Sequence, residues 1–129
     1  MKQLTLIRHA KSSWSDRSQG DFDRPLDARG LSDAPRMGAH FKGAALEPVD
    51  RVVSSPALRA RTTAELIAEG LGITCGSITL NSRIYEASLA GLFELVRALD
   101  DADKHVVLVG HNPGFEQLAY ALDPDFVGD

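Results

Sequence analysis

The chain has 129 residues, 43% of them hydrophobic and 25% charged, a composition typical of one soluble globular domain spanning residues 1–129. Its net charge of -4 disfavours nucleic acid as a partner, so a bound anion must be captured by a local cluster of basic side chains. The single cysteine, Cys75, excludes an internal disulfide, and neither a signal peptide nor a membrane-spanning stretch is evident, so we expect a cytoplasmic protein.

Strands and helices are predicted to alternate along the chain. Residues 11–30 are polar and interrupted by glycine and proline, so they are predicted to form a loop over the end of the first strand. The first helix is expected to begin at Ser32 and to bury Met37, Phe41 and Ala45. The alternation predicts a three-layer α/β/α sandwich with a mainly parallel sheet. The predicted strands are 1–7, 49–53, 78–80 and 105–109, and the predicted helices are 32–47, 57–70, 89–99 and 115–122.

Polar residues follow three of the predicted strands, at the point where each strand ends. Arg8 and His9 follow the first strand, Ser55 leads into a helix that carries Arg59, and His111 follows the last strand. In a parallel sheet these ends lie at the same edge, so the side chains can converge on one pocket. Arginine binds phosphate oxygens in bidentate fashion, and a neutral imidazole can attack phosphorus. The pattern therefore predicts a phosphate site.

Three motifs in this order resemble the histidine phosphatase superfamily, the phosphoglycerate mutase-like proteins. They are the opening Leu-Ile-Arg-His, the segment Ser-Ser-Pro-Ala-Leu-Arg-Ala-Arg-Thr-Thr-Ala and the late Gly-His-Asn-Pro, and the likeness extends from Leu4 to about Leu122. Ala10, the following Lys-Ser-Ser-Trp and the Asp-Phe-Asp-Arg-Pro-Leu-Asp-Ala-Arg-Gly segment are most similar to the SixA-type phosphohistidine phosphatase branch.

The resemblance implies a role for each residue of the predicted pocket. His9 would be the nucleophile that forms a phosphohistidine intermediate, Arg8 and Arg59 would bind the phosphoryl oxygens, and His111 would hydrogen-bond the same group. No metal or cofactor is implied, because positioning and electrostatic stabilisation supply most of the catalysis of phosphoryl transfer. A metal site built from His9, His111 and a carboxylate is the alternative, although the sequence lacks a ligand spacing such as His-x-x-x-His.

Several of these residues have a second interpretation. The resemblance makes Glu86 the candidate proton donor for the leaving group, because many members of the superfamily place an acid in this region; the alternative is a solvated loop residue. Ser55 donates to phosphate or caps the following helix, and His111 could take part only in helix capping through its neighbour Asn112. Arg61 competes with Arg59, but residues two apart on a helix face different directions, so one of the two is expected to be solvated.

The loop acids Asp21 and Asp23 lie beside Arg24 in the segment that resembles the SixA branch. A surface salt bridge is the favoured interpretation of these residues, ahead of a catalytic role. Members of this branch continue for a few tens of residues beyond the Gly-His-Asn-Pro helix, so we expect a domain that is short at its C-terminus. Either the sequence is truncated or another chain supplies the final edge of the sheet.

We expect a metal-independent phosphatase that hydrolyses phosphohistidine or phosphomonoester substrates through phospho-His9. No long insertion encloses the site in the sequence, which favours a protein-borne phosphohistidine over a small metabolite. Two alternatives remain open: a general small-molecule phosphomonoesterase, and a non-catalytic module that binds phosphate or a phosphoprotein. Neither nucleic acid nor a membrane is expected as a partner.

Overall fold

The computed structural model describes residues 3–13, 20–44, 48–73 and 77–125. Within these ranges a parallel sheet has the strand order β1-β4-β2-β3. Short 3₁₀ turns lie at Asp21–Asp23 and Ser82–Ile84. Strands and helices alternate in the order β1 (Gln3–Arg8), α1 (Ala28–Ala44), β2 (Arg51–Ser54), α2 (Leu58–Leu71), β3 (Ile78–Leu80), α3 (Leu89–Arg97), β4 (His105–Gly110) and α4 (Gly114–Leu122).

Two apolar clusters cover the two faces of the sheet. Val107 and Val109 of β4 pack with Ile67 of α2 on one face, while Val106 and Leu108 pack with α3 and α4 on the other. This alternation arises because successive side chains of a strand point to opposite faces. The predicted three-layer α/β/α sandwich with a parallel sheet is therefore confirmed.

The start of α1 differs from the prediction. The helix begins at Ala28 rather than at Ser32, because the side chain of Asp27 accepts a hydrogen bond of 2.8 Å from the Gly30 N–H and caps the first turn. Pro35 consequently lies inside the helix instead of in its first turn. Proline marks a helix start only when no earlier residue can cap one, and Asp27 can.

The buried side of α1 also differs from the prediction. Met37 is 42% exposed, whereas Ala34 and Gly38 are buried and Phe41 is partly buried against the apolar cluster on the α2 side of the sheet. The expected burial of Ala45 and the role of Cys75 lie outside the described residues. Small residues therefore form the contact face of α1, which a search for large apolar side chains overlooks.

Helices α1 and α2 approach each other closely through a pair of glycines. A Cβ atom at Gly38 would lie 2.6 Å from the carbonyl oxygen of Ile67, and one at Gly70 would lie 2.9 Å from the backbone of α1. The contact holds α2 against its neighbour, and α2 carries Arg59 in its first turn. None of the helices in the described part of the chain is long and apolar enough to cross a membrane.

Candidate active site

His9 lies directly after β1 at the carboxyl edge of the sheet. Its backbone N–H donates to the Gly110 carbonyl at 2.9 Å, and its ring Nδ1 donates to the Ala10 carbonyl at 2.8 Å. The Nε of Arg59 lies 3.3 Å from His9 Nε2 and donates to it. Burial lowers the pKa of His9, and the positive charge of Arg59 lowers it further. We therefore assign a neutral ring with its lone pair on Nε2.

Arg59 lies beside His9 in the first turn of α2 and is only 5% exposed. Its other two nitrogens are also engaged: Nη1 donates to the Asp21 carbonyl oxygen at 2.5 Å, and Nη2 donates to Asp21 Oδ2 at 3.0 Å. Arg61 is exposed, so the prediction that one of the two arginines is solvated is confirmed. The buried guanidinium fixes the electrostatic character of the pocket.

His111 approaches the same point from the end of β4. Its ring centroid lies 5.3 Å from that of His9, and its Nε2 lies 2.8 Å from Ser55 Oγ. Ser55 Oγ also accepts a hydrogen bond of 3.2 Å from the Ala57 N–H, in the turn that precedes α2, but its side chain does not cap the helix. Burial, together with the charge of Arg59, lowers the pKa of His111 to about 4. His111 is therefore neutral near neutral pH.

Four hydrogen bonds close a ring around the nucleophile candidate. Thr63, which is 1% exposed, accepts from the Ala10 N–H at 2.9 Å and donates to the Arg59 carbonyl at 2.7 Å. Ala10 in turn accepts from His9 Nδ1, and Arg59 donates to His9 Nε2. We call these four residues, His9, Ala10, Thr63 and Arg59, the inner ring. It fixes the position of the imidazole relative to the guanidinium.

Asp21 and Tyr85 are the site residues that sequence reasoning undervalued. Tyr85 donates to Asp21 Oδ2 at 2.7 Å, while Arg24 contacts Asp21 Oδ1 at 3.3 Å. The Tyr85 hydroxyl, followed by Arg59, lowers the pKa of Asp21 to about 2, and the same bond to Asp21 raises the pKa of Tyr85 to about 12. The expected salt bridge between Asp21 and Arg24 is present, but Asp21 also pairs with the buried Arg59. The Asp-Phe-Asp-Arg segment, which resembles the SixA branch, is the part of the sequence that could have indicated a role for Asp21 in the site.

The first 95 residues of the sequence carry a match to a known protein family. The model of the histidine phosphatase superfamily (branch 1) matches residues 4–95, which include His9 and Arg59. The chain belongs to the histidine phosphatase superfamily. His111 lies outside the matched residues, yet the fold brings it next to His9.

The sequence is also similar to individual proteins. Uncharacterized protein Rv1276c of Mycobacterium tuberculosis is 34% identical over 116 residues, which cover 90% of this chain and 69% of that protein. A protein named probable phosphoglycerate mutase GpmB, of Salmonella choleraesuis, is 33% identical over 94 residues, which cover 71% of this chain but only 41% of the relative.

Two solved structures that resemble this chain carry the name putative phosphohistidine phosphatase SixA. The structure from Agrobacterium tumefaciens has a TM-score of 0.85 and 29% identity, and the alignment covers 97% of this chain and 79% of the other. The structure from Nakamurella multipartitia has a TM-score of 0.78 and 28% identity, and the alignment covers 94% of this chain and 65% of the other. These values support the resemblance to the SixA branch.

The remaining predicted site residues are Arg8 and Glu86. Arg8 ends β1 and is exposed, and its side chain makes no hydrogen bond or ion pair with another described residue. Glu86 and His111 line the same cavity of about 210 Å³, and Glu86 has a positive φ of 55°. Neither His9 nor Arg59 lines that cavity, and no hydrogen bond among the described residues joins Glu86 to His9.

The arrangement offers a nucleophile and an anion site in one place. A neutral imidazole with its lone pair on Nε2 is the form that can attack phosphorus, and here that lone pair accepts a hydrogen bond from Arg59 Nε, which has to be released before attack. The adjacent buried guanidinium can stabilise the charge of phosphoryl oxygens. Within the described ranges no group of three or more His, Cys, Asp or Glu side chains is arranged to hold a metal ion. The expectation that no metal or cofactor is required stays a prediction.

Proposed function

We propose that this protein is a metal-independent phosphatase that hydrolyses phosphohistidine in proteins through a covalent phospho-His9 intermediate. The observation that carries the proposal is the hydrogen bonding of the His9 ring, whose Nδ1 lies 2.8 Å from the Ala10 carbonyl oxygen while Nε2 lies 3.3 Å from Arg59 Nε. A ring fixed in this tautomer needs no further deprotonation before it attacks. We place the protein in the cytoplasm, since its single cysteine fits a reducing compartment.

The reaction consists of two displacements at phosphorus. In the first, His9 Nε2 forms a bond to phosphorus while the bond to the leaving nitrogen or oxygen breaks, and the leaving group takes a proton from Glu86. In the second, water attacks phospho-His9, the P–Nε2 bond breaks, inorganic phosphate leaves and a proton from the water returns to Glu86. Both steps develop charge on the equatorial phosphoryl oxygens, which suits a cationic pocket.

The pocket residues divide between binding and positioning. Arg8 and Arg59 bind the phosphoryl oxygens in this proposal, and His111 donates to the same group. Ser55 Oγ accepts a hydrogen bond from the Ala57 N–H, and we assign its hydroxyl proton to a hydrogen bond with His111 Nε2. Neutral His111 then carries its proton on Nδ1, a buried atom for which the described residues provide no partner. A phosphoryl oxygen would be the acceptor for this proton.

The choice of phosphohistidine rests on the similarity to the SixA structures and on the short connections of the sequence. A general phosphomonoesterase acting on small molecules would use the same pocket, and so would a module that binds phosphate without turnover. These alternatives differ in substrate ratio and in the formation of a covalent intermediate, so one experiment separates them.

The test measures phosphate release from a phosphohistidine-bearing protein and from p-nitrophenyl phosphate in the presence of a chelator. The wild type is compared with His9→Ala and with His40→Ala, a matched control because His40 is an exposed residue of α1. We expect turnover by the wild type and the His40 variant, at least about a hundredfold less by His9→Ala, and an acid-labile phosphate on the wild type. Turnover that survives in His9→Ala would refute the covalent mechanism.

The ratio of the two substrates decides between the enzyme alternatives. Preference for the phosphohistidine protein supports the proposal, while preference for p-nitrophenyl phosphate indicates a general phosphomonoesterase. Phosphate binding without turnover or labelling by the folded wild type would identify a binding module.

A further inference from the structure

The guanidinium assigned to phosphate already has an anion bound to it. Asp21 contacts two of the three nitrogens of Arg59, through its backbone carbonyl at 2.5 Å and its carboxylate at 3.0 Å, and the third nitrogen donates to His9. A phosphoryl group that binds Arg59 through its outer nitrogens must therefore replace these Asp21 contacts. Carboxylate and phosphate compete for the same geometry of the guanidinium fork.

Asp21 is held in this position by further groups. Tyr85 donates to the same carboxylate oxygen that pairs with Arg59, and Arg24 contacts the other oxygen. Both carboxylate oxygens are thus satisfied by donors from separate parts of the chain. The Asp21 side chain is nevertheless 48% exposed, whereas that of Arg59 is 6% exposed. The acid can leave toward solvent, but the arginine stays buried.

We propose that Asp21 is an internal competitor that occupies the phosphate-binding nitrogens of Arg59 and is displaced when a substrate phosphoryl group binds. The inference rests on the assignment of Arg59 under the proposed function. An internal competitor weakens the binding of every anion, because an anion can bind only to the fraction of molecules in which the competitor has been released. A free phosphate ion has only its oxygens with which to displace Asp21, whereas a larger substrate adds contacts outside the pocket. Asp21 therefore disfavours binding of the product phosphate.

A purely structural role for Asp21 predicts the opposite effect of its removal on anion affinity. If Asp21 only holds Arg59 in the correct orientation, its removal loosens the guanidinium and weakens anion binding. If Asp21 competes, its removal strengthens anion binding. A third possibility is a general effect of charge, because any removed carboxylate makes the surroundings less negative. Removing the charge of a second acid in the same loop measures this general effect.

The experiment is calorimetric titration with inorganic phosphate of the wild type and three variants. Asp21→Asn removes the charge with little change in shape, and Asp23→Asn makes the same change at an exposed neighbour. Tyr85→Phe removes the hydroxyl that holds Asp21 and leaves the net charge unchanged at neutral pH. We expect the dissociation constant for phosphate to fall about tenfold in Asp21→Asn and about threefold in Tyr85→Phe. In Asp23→Asn it should change by less than about twofold.

An unchanged or higher dissociation constant in Asp21→Asn would overturn the inference, and so would equal gains in Asp21→Asn and Asp23→Asn. If Asp21→Asn does not fold, as judged by circular dichroism, Tyr85→Phe decides by the same criterion. This experiment measures binding rather than turnover. A negative result for Asp21 therefore refutes only the role of Asp21 as a competitor and does not affect the test of the phospho-His9 mechanism. Absence of phosphate binding in all four proteins would overturn both the inference and the assignment of Arg59.

Discussion

Replacing Thr63 by valine is expected to loosen the inner ring while preserving the shape of the core. Thr63 is 1% exposed, and its hydroxyl accepts from the Ala10 N–H and donates to the Arg59 carbonyl. Valine leaves the partly buried Ala10 N–H without this acceptor, at a cost of about 1–3 kcal/mol. The Arg59 carbonyl keeps its place in the backbone of α2, and the added methyl group returns up to about 0.8 kcal/mol. We therefore expect a net destabilisation of about 1.5 kcal/mol.

The assay combines thermal denaturation with steady-state kinetics. A destabilisation of this size lowers the melting temperature by about 5 °C in a domain of this length. Because Ala10 also holds His9 Nδ1, we expect kcat to fall at least about tenfold. Thr63→Ser keeps both hydrogen bonds and should retain kcat, although it loses a buried methyl group. Thr62→Val is the control for the chemical change itself. Full stability and full kcat in Thr63→Val would refute the role of the inner ring.

Two further predictions concern histidine ionisation and helix packing. The pKa of His111 is about 4 in the folded protein and near 6.5 when unfolded, so the unfolded state binds more protons between these values and the free energy of unfolding should decrease as pH falls from about 7 to 4. Denaturation at about pH 7 and 5 should show a smaller decrease for His111→Gln, and an equal decrease would contradict the assignment. Gly38→Ala should destabilise the protein by about 2 kcal/mol, because the new Cβ would lie 2.6 Å from the Ile67 carbonyl oxygen. Gly43→Ala, whose Cβ meets nothing within 4 Å, should instead stabilise α1 by about 0.5–1 kcal/mol, and melting curves with equal shifts for both would show that α1 and α2 are not closely packed.

The convergence of the site could be predicted because it follows from topology. Polar residues at the ends of parallel strands lie at one edge of the sheet, and this rule suffices to place Arg8, His9 and His111 there. The order of the strands is not needed for the argument. The prediction of the sheet likewise needed only the alternation of apolar segments, which is strong in β4 because all of its residues are buried.

The contacts within the site could not be predicted in the same way. Asp21 and Tyr85 are 64 residues apart in the sequence, and no local pattern indicates that their side chains meet. The start of α1 was misplaced for a different reason: Pro35 is a strong local signal, whereas the capping contact of Asp27 is visible only in three dimensions. Local rules therefore identified the segments that meet at the candidate site, but not that Asp21 pairs with Arg59 there.

Arg59 belongs to two sets of contacts that differ in how easily they can break. On one side it closes the inner ring with His9, Ala10 and Thr63, of which Thr63 and Arg59 itself are buried. On the other side it pairs with Asp21, whose side chain is 48% exposed and borne on a 3₁₀ turn. Water can replace the contacts with Asp21 at little cost in free energy, because that side chain is already half exposed. The buried hydrogen bonds of the inner ring have no such substitute. Under the proposal, a phosphoryl group displaces Asp21 while the contact between guanidinium and imidazole is kept until His9 Nε2 attacks phosphorus.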